Sequence, residues 1–130
     1  MELINFSNGR TIAADLKEAY RFWPRFKGLM MTEQFPEGGA LHLAPCPSVH
    51  TFFMKYAIDV LYLNEENGIV GLEENLEPGK LGRRFPGARS VIELPAGTIR
   101  RTSAAVGHTV AFAEGNKTQA GQPLTKQNTK

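Results

Sequence analysis

The sequence predicts one mainly β domain, an antiparallel sandwich or barrel, with a helix near its N terminus. From residue 38 onward, short β-rich runs alternate with Pro, Gly or Asn-Gly signals, which is typical of antiparallel sheets. The runs are ALHL, VHTFFM, VLYL, GIVGL and SVIEL. A chain of 130 residues can bury its own core without disulfides or structural metal.

Two Asn-Gly pairs mark hairpins, because this dipeptide accepts the positive φ angles of a tight turn. Asn8-Gly9 separates strands predicted at 2–6 and 10–14, and Asn67-Gly68 joins IDVLYLN to GIVGLEE. Near the C terminus, TIRRTSAAVG predicts one or two helical turns ending at Gly107, and HTVAF predicts the last strand.

The N-terminal helix is predicted to begin at Asp15. Glu18 lies three residues further on, as in a capping box. Leu16, Ala19, Tyr20 and Trp23 follow at helical spacing and give one apolar stripe. Pro24 then stops or kinks the helix, since proline lacks an amide hydrogen.

The globular domain is predicted to cover residues 1–113, with a disordered tail over 114–130. The tail has one large apolar residue, Leu124, and is otherwise mostly polar, Gly or Pro. The N terminus shows no basic stretch followed by an apolar run, and no apolar segment of about 18 residues occurs. We therefore expect a cytoplasmic monomer with a reduced thiol and no membrane partner.

Charge does not favour a nucleic-acid partner. Residues 1–112 carry 12 Lys plus Arg against 12 Asp plus Glu, and the formal excess of +2 comes from the last 18 residues. Nucleic-acid binding needs basic residues gathered on a folded face. The basic stretch Lys80–Arg89 directly follows an acidic stretch, Glu65–Glu77, so we interpret both as solvated loops that screen each other.

The segment CPSVHTF holds the single cysteine, Cys46, and one of three histidines, His50. On an extended strand, positions four apart share a face but lie about 13 Å from each other. That distance is too long for a shared metal or direct proton transfer, although Pro45 and Pro47 make a turn plausible. Met54 extends the series toward a Cu(I) site, but the same spacing opposes it, and no metal or cofactor is predicted.

Asp59 is the nearby carboxylate in an apolar setting, AIDVLYL. Nucleophilic catalysis by Cys46 or His50 would need a third group to orient the base, and Asp59 can face His50 only in one hairpin register. We favour the interpretation that the Asp59 carboxylate binds backbone amides or Lys55. His42 and His108 are expected to face solvent, and GKLGRR lacks the order of a phosphate-binding loop.

Taken together, KGLMM, GALHL, VHTFFMKYAIDVLYLN, GIVGL and VIELPAGT resemble the prokaryotic family called domain of unknown function 192. The similarity covers roughly residues 2–112. It implies a jelly-roll-like sandwich with the N-terminal helix packed across it, and it implies no activity. Many members have Trp-Met-Lys-Asn-Thr where this chain has FMKYA, and Gly-Asp where it has Gly107-His108.

Two functional hypotheses follow. The first is a binding or accessory module for an unknown small molecule or protein. Its groove would lie beside Cys46–Met54, with Cys46, His50, Lys55 and Asp59 as polar lining and Phe52, Phe53 and Met54 as an apolar floor. The alternative is an enzyme that uses Cys46 or His50, with Asp59 orienting the imidazole. The binding module is preferred, because catalysis requires two separate geometric coincidences.

Overall fold

The computed structural model describes residues 1–19, 35, 38–51 and 54–114. Within these ranges the chain forms strands and one short helix, named here in chain order. They are β1 (Glu2–Asn5), β2 (Thr11–Ala13), β3 (Asp15–Ala19), β4 (Gly39–Leu43), β5 (Ile58–Leu63), β6 (Ile69–Leu76), β7 (Ser90–Pro95), α1 (Thr98–Thr102) and β8 (Val110–Ala113). The predicted mainly β class is therefore confirmed. The tail predicted at 114–130 lies outside these ranges apart from Glu114, so the domain boundary stays a prediction.

The strands form two open sheets. One has three strands in the order β2-β1-β8, and the other has five in the order β3-β4-β7-β5-β6. Neighbouring strands are antiparallel except for β3 and β4, which are parallel. Neither sheet closes on itself within the described ranges, so the barrel alternative was wrong. The jelly-roll connectivity remains a prediction.

Both Asn-Gly turns lie where the sequence predicted them. Gly9 has a φ of 78° between β1 and β2, and Asn67 has a φ of 66° between β5 and β6. At the first turn, the buried Asn5 side chain accepts hydrogen bonds from the amides of Ser7 and Asn8, at 2.9 and 3.3 Å. These turns fix the two hairpins locally, because residues close in the chain make the contacts.

The prediction of an N-terminal helix was wrong for the residues described. Asp15 to Ala19 form β3, which pairs in parallel with β4 so that Leu16 lies beside Ala40. Leu16 is buried in the core, and its amide donates to the carbonyl oxygen of Met1 at 2.7 Å. This tertiary pairing overrides the capping-box signal, since local propensity is worth only tenths of a kcal/mol per residue. Tyr20, Trp23 and Pro24 lie outside the described residues.

The predicted C-terminal helical turn exists, but it ends earlier than expected. Helix α1 ends at Thr102, and Ser103 follows in the left-handed region with a φ of 60°. The Thr102 hydroxyl donates to the carbonyl oxygen of Thr98 at 2.7 Å. Gly107, predicted as the helix end, lies in the next turn, where its amide donates to the carbonyl oxygen of Ile69 at 2.9 Å.

One core lies between the two sheets. Its members come from both sheets and from α1, and they include Leu3, Ile12, Leu16, Ala40, Leu61, Leu63, Ile92, Leu94, Ile99 and Val110. Because strand side chains alternate, the residues between these positions point to the other side of the five-stranded sheet. This side is called the distal face here, and its strand residues are Leu41, Leu43, Ile58, Val60, Tyr62, Val91 and Glu93.

Candidate functional site

The described part of the segment from Cys46 to Met54 packs on the distal face. Val49 and Met54 are buried in the same apolar cluster as Leu43, Val60 and Val91, with Cys46 packed at its border. Residues 49–51 do not form the strand that VHTFFM predicted. His50 makes only an isolated β-bridge with Leu81, and Thr51 and Met54 are irregular. The predicted strand was therefore wrong here, and Phe52 and Phe53 lie outside the described residues.

Thr51 fixes this segment to the loop after β6, a role that the sequence analysis missed. The buried Thr51 hydroxyl donates to the carbonyl oxygen of Glu77 at 2.6 Å and accepts from the amide of Lys80 at 2.8 Å. The Thr51 amide donates to the carbonyl oxygen of Lys80, and its own carbonyl accepts from the amide of Gly79. Four bonds thus join one residue to three positions of the loop.

Cys46 and His50 have different environments. The half-buried Cys46 thiol donates to the carbonyl oxygen of Ser48 at 2.9 Å, and its amide donates to the carbonyl oxygen of Arg89 at 2.8 Å. His50 and Lys55 are exposed. A thiol held as a donor to a backbone carbonyl is not activated as a nucleophile by that contact.

Asp59 lies on the opposite side of the sheet from Met54. In β5 it pairs with Leu94 of the core between the sheets, and the strand is not the hairpin partner of the Cys46–Met54 segment. Its carboxylate accepts from the amide of Asn75 at 2.8 Å through Oδ1. Through Oδ2 it accepts from the amides of Gly97 and Ile99, at 3.1 and 2.8 Å. Asp59 therefore binds backbone amides, as the favoured interpretation stated, and it anchors the start of α1.

Glu93 is the unusual residue of the distal face, and the sequence analysis did not select it. It lies in register with Leu41 on one side and Val60 on the other, and only 6% of it is exposed. Within the described part of the chain, no side chain or amide donates a hydrogen bond to its carboxyl group. Burial raises the pKa of Glu93 to about 7.

A second acid lies on the other side of Val60 in the same row. Glu73 of β6 pairs with Val60, and its Oε1 accepts from the Tyr62 hydroxyl at 2.7 Å and from the amide of Arg83 at 3.2 Å. Burial raises the pKa of the Tyr62 phenol, and the hydrogen bond to Glu73 and the nearby charges, including Glu93, raise it further. Tyr62 therefore remains a neutral donor that is already committed to Glu73.

Gly82 allows the loop after β6 to approach this pair closely. A Cβ atom at position 82 would lie 2.5 Å from the Tyr62 hydroxyl and 3.2 Å from Glu73 Oε1. On the solvent side, Glu73 lines a surface pocket of about 480 Å³ together with Glu77, Lys80 and other residues. Glu73 therefore connects the buried row of the distal face with an open pocket.

A separate polar pair lies on the side of the five-stranded sheet that faces the three-stranded sheet. His42 Nε2 lies 3.1 Å from Ser90 Oγ, and the His42 ring stacks on Phe112 with ring centroids 4.9 Å apart. Burial lowers the pKa of His42, and the charge of Glu18 partly opposes this. The solvent-facing position expected for His42 was wrong, since the ring is buried between β4 and β8. In half-buried His108, Nδ1 accepts a hydrogen bond from Asn5 Nδ2 at 2.9 Å.

The basic and acidic stretches contact each other. Arg89 forms an ion pair with Glu65 at 3.1 Å, and both side chains are mostly exposed. Lys80 and Arg83 line one pocket with Glu73, Glu74 and Glu77. These contacts agree with mutual screening, but Glu73 and Glu74 lie in strand β6, so the acidic stretch is not a loop throughout. Exposed pairs of this kind add little stability.

The described ranges contain neither a membrane-spanning helix nor a cluster of metal-ligating side chains. No helix there is long and apolar enough to span a bilayer. Across residues 1–19, 35, 38–51 and 54–114, no three His, Cys, Asp or Glu side chains are grouped as metal ligands.

Two solved structures have a similar fold, each with a TM-score of 0.70. The first, from Sinorhizobium meliloti 1021, is called a "putative transcription regulator". It is 22% identical, with 85% of this chain and 89% of that chain covered. The second, a protein of unknown function from Novosphingobium aromaticivorans, is 15% identical, with 85% and 82% covered. At these identities the similarity concerns the fold alone.

Two related sequences have a higher identity to this chain than these solved structures do. A UPF0127 protein of Pyrococcus furiosus is 32% identical over 110 residues, which cover 81% of this chain and 92% of the relative. A UPF0127 protein of Thermococcus sibiricus is also 32% identical over 110 residues, covering 81% and 70%. The family model DUF192, described as Uncharacterized ACR, COG1430, matches residues 3–112. The chain belongs to this family of uncharacterised proteins.

Proposed function

We propose that the protein is a small ligand-binding module whose site lies on the distal face, beside Cys46–Met54. The observation that carries this proposal is Glu93, a carboxyl group buried among apolar side chains with no hydrogen-bond donor among the described residues. A buried polar group without a partner costs roughly 1–3 kcal/mol. A ligand that supplies the missing partner would recover that free energy on binding.

The surroundings of Glu93 suit a small organic molecule. Apolar side chains of the sheet and of the residues packed on it provide an apolar wall, which includes Leu41, Val60 and Met54. Binding sites of this kind combine apolar walls with a few polar groups that fix orientation. In this proposal Cys46 and Met54 line the site, as the sequence analysis suggested, and Glu93 replaces Asp59 as the anchoring carboxyl group.

The enzyme alternative has less support. Asp59, which was to orient the His50 imidazole, already accepts from three backbone amides on the opposite side of the sheet. The Cys46 thiol donates to Ser48. Catalysis by Cys46 or His50 would therefore need an orienting group other than Asp59.

The partner is proposed to be a small molecule and not nucleic acid. The Sinorhizobium meliloti protein is named a "putative transcription regulator", and its similarity to this chain is one of fold. In this chain, basic residues such as Arg89 are paired with or adjacent to acids. Cytoplasmic location and a monomeric state remain part of the proposal.

The test is a small-molecule library titrated into the intact protein, followed by two-dimensional amide spectra. We expect ligands that shift the amides of Val60, Tyr62, Val91 and Glu93 and that lose at least tenfold in affinity in Glu93→Leu. Glu65→Gln is the matched control, because Glu65 is an exposed acid outside the distal face. Ligands that shift only the residues around His42 and Ser90, or that bind Glu93→Leu unchanged, would contradict the proposal.

A further inference from the structure

We infer that the distal face takes an organic monocation, an ammonium group on an apolar body, with the nitrogen against the Glu93 carboxylate. This inference rests on the proposed function and adds the chemical class of the ligand. It follows from the charges around Glu93 and from neighbouring hydrogen-bond donors that already bind other acceptors.

The described elements around Glu93 present acids and neutral groups. Strand β4 offers Leu41 and Leu43, strand β5 offers Val60 and Tyr62, and strand β6 offers Glu73. Cys46, packed at the border of the same cluster, brings a thiol that donates to the carbonyl oxygen of Ser48. The Arg83 guanidinium group lies 5.2 Å from the centre of the Phe85 ring. Two carboxyl groups thus share this row, and an anionic ligand would be repelled.

Two polar hydrogens among the described residues that pack on this face are already used. The Tyr62 hydroxyl donates to Glu73, and the Cys46 thiol donates to Ser48. Glu93 therefore needs a donor from outside the described residues. A neutral alcohol can supply one hydrogen bond, but only a cation also offsets the cost of ionising a carboxyl group in an apolar site.

A metal ion fits this environment less well than an ammonium group. Metal ions bind four or more ligands, and the described residues hold no group of three potential ligands. An ammonium group needs only a few acceptors, and its carbon chain can pack among the apolar side chains around Val60 and Met54. The apolar wall and the single buried carboxyl group together favour an alkyl or aryl amine.

This inference predicts that binding releases a proton. Glu93 titrates near pH 7 because of its burial, so about half of the molecules carry the proton at that pH. A bound cation favours the ionised form. The affinity for an ammonium ion should then rise by about tenfold from pH 6 to pH 8 and level off above that, whereas the amine itself stays charged, with a pKa of about 10.

The experiment uses three probes of equal length: hexylammonium, hexan-1-ol and hexanoate. Each is titrated into the intact protein at pH 6 and pH 8, with affinity read from the amides of Val60, Tyr62 and Val91. We expect hexylammonium to bind tighter than hexanol, hexanoate to bind weakest, and Glu93→Gln to lower the hexylammonium affinity at least tenfold while hexanol is unchanged. Glu65→Gln should change neither.

A second measurement needs no variant and holds if Glu93→Gln folds poorly. Calorimetry of hexylammonium binding at pH 7, in buffers of different ionisation enthalpy, should show about half a proton released per bound cation. No proton release, or hexanol binding as tightly as hexylammonium at both pH values, would overturn the cation inference and leave the binding module intact. If none of the library ligands or probes shifts the distal-face amides, the proposed function itself is wrong.

Discussion

Replacing Glu93 by Gln should make the protein more stable at alkaline pH and leave it nearly unchanged in acid. The folded protein raises the pKa of Glu93 from an ordinary 4.5 to about 7 because the carboxyl group is buried. The folded state therefore holds the proton more tightly than the unfolded state. Between these two pH values the unfolded chain loses its proton first, so stability falls as the pH rises.

The size of the effect follows from the two pKa values. A change of one pKa unit corresponds to about 1.4 kcal/mol, so the stability lost between pH 4.5 and pH 7 is roughly 3 kcal/mol. Above pH 7 the loss is complete. The glutamine in Glu93→Gln cannot ionise, so the variant does not lose this stability. In a chain of this size, a difference of about 3 kcal/mol corresponds to roughly 10 °C in Tm.

The assay is urea unfolding of the wild type and of Glu93→Gln at several pH values from 4 to 9, followed by far-UV circular dichroism. The difference between the two curves is the quantity of interest, because contributions from other groups cancel. His42 is such a group. Burial lowers its pKa, so its contribution is present above pH 6.5 and is lost as the pH falls. Parallel curves for the two proteins across the whole range would refute the reasoning for Glu93.

Three further predictions concern the neighbouring contacts. Asp59→Asn should cost about 2–4 kcal/mol in unfolding free energy, because one amide group cannot accept all three backbone hydrogen bonds; a cost under 1 kcal/mol would contradict this. Thr51→Val should cost roughly 1–3 kcal/mol, since the carbonyl of Glu77 and the amide of Lys80 lose their partner, whereas Thr51→Ser should keep most of it. Cys46 should react slowly with iodoacetamide near neutral pH, and His50→Ala should leave the rate within about a factor of two. A rate that collapses in His50→Ala would instead support the enzyme alternative.

The strands could be predicted because their signals are local. The β-rich run SVIEL and the Asn67-Gly68 turn each depend on residues close together in the chain. The helix predicted from Asp15 failed for the opposite reason. Residues 15–19 pair in parallel with β4, which begins more than 20 residues later, and a single sequence contains no signal for that pairing.

The candidate site was predicted only in part, again because of strand pairing. Met54 does lie on the distal face, in the apolar cluster with Val60. Asp59 was considered for the same side in one possible hairpin register. The observed partners of β5 are β6 and β7, and Asp59 points to the core between the sheets. The side of the sheet on which a residue lies depends on register, and the loop between Met54 and Ile58 does not determine it.

Glu93 had a signal in the sequence that was not used. In SVIELP, Ile92 and Leu94 predict one buried side of the strand, and Val91 predicts that the other side is buried as well. A glutamate two residues after Val91 must then lie in an apolar environment. An acidic residue inside a strand that is apolar on both sides is therefore a useful search pattern for buried carboxyl groups.

The stability of the fold does not explain why this position carries an acid. A leucine of similar length would pack against Leu41 and Val60 without a desolvation cost, and the gain at pH 8 would be at least as large as that expected for Glu93→Gln. Asp59, in contrast, has three amide partners and a clear structural role. A buried acid that lowers stability and has no donor within the described residues supports the proposed binding site. For this reason the proposed site lies at Glu93 and not at Asp59.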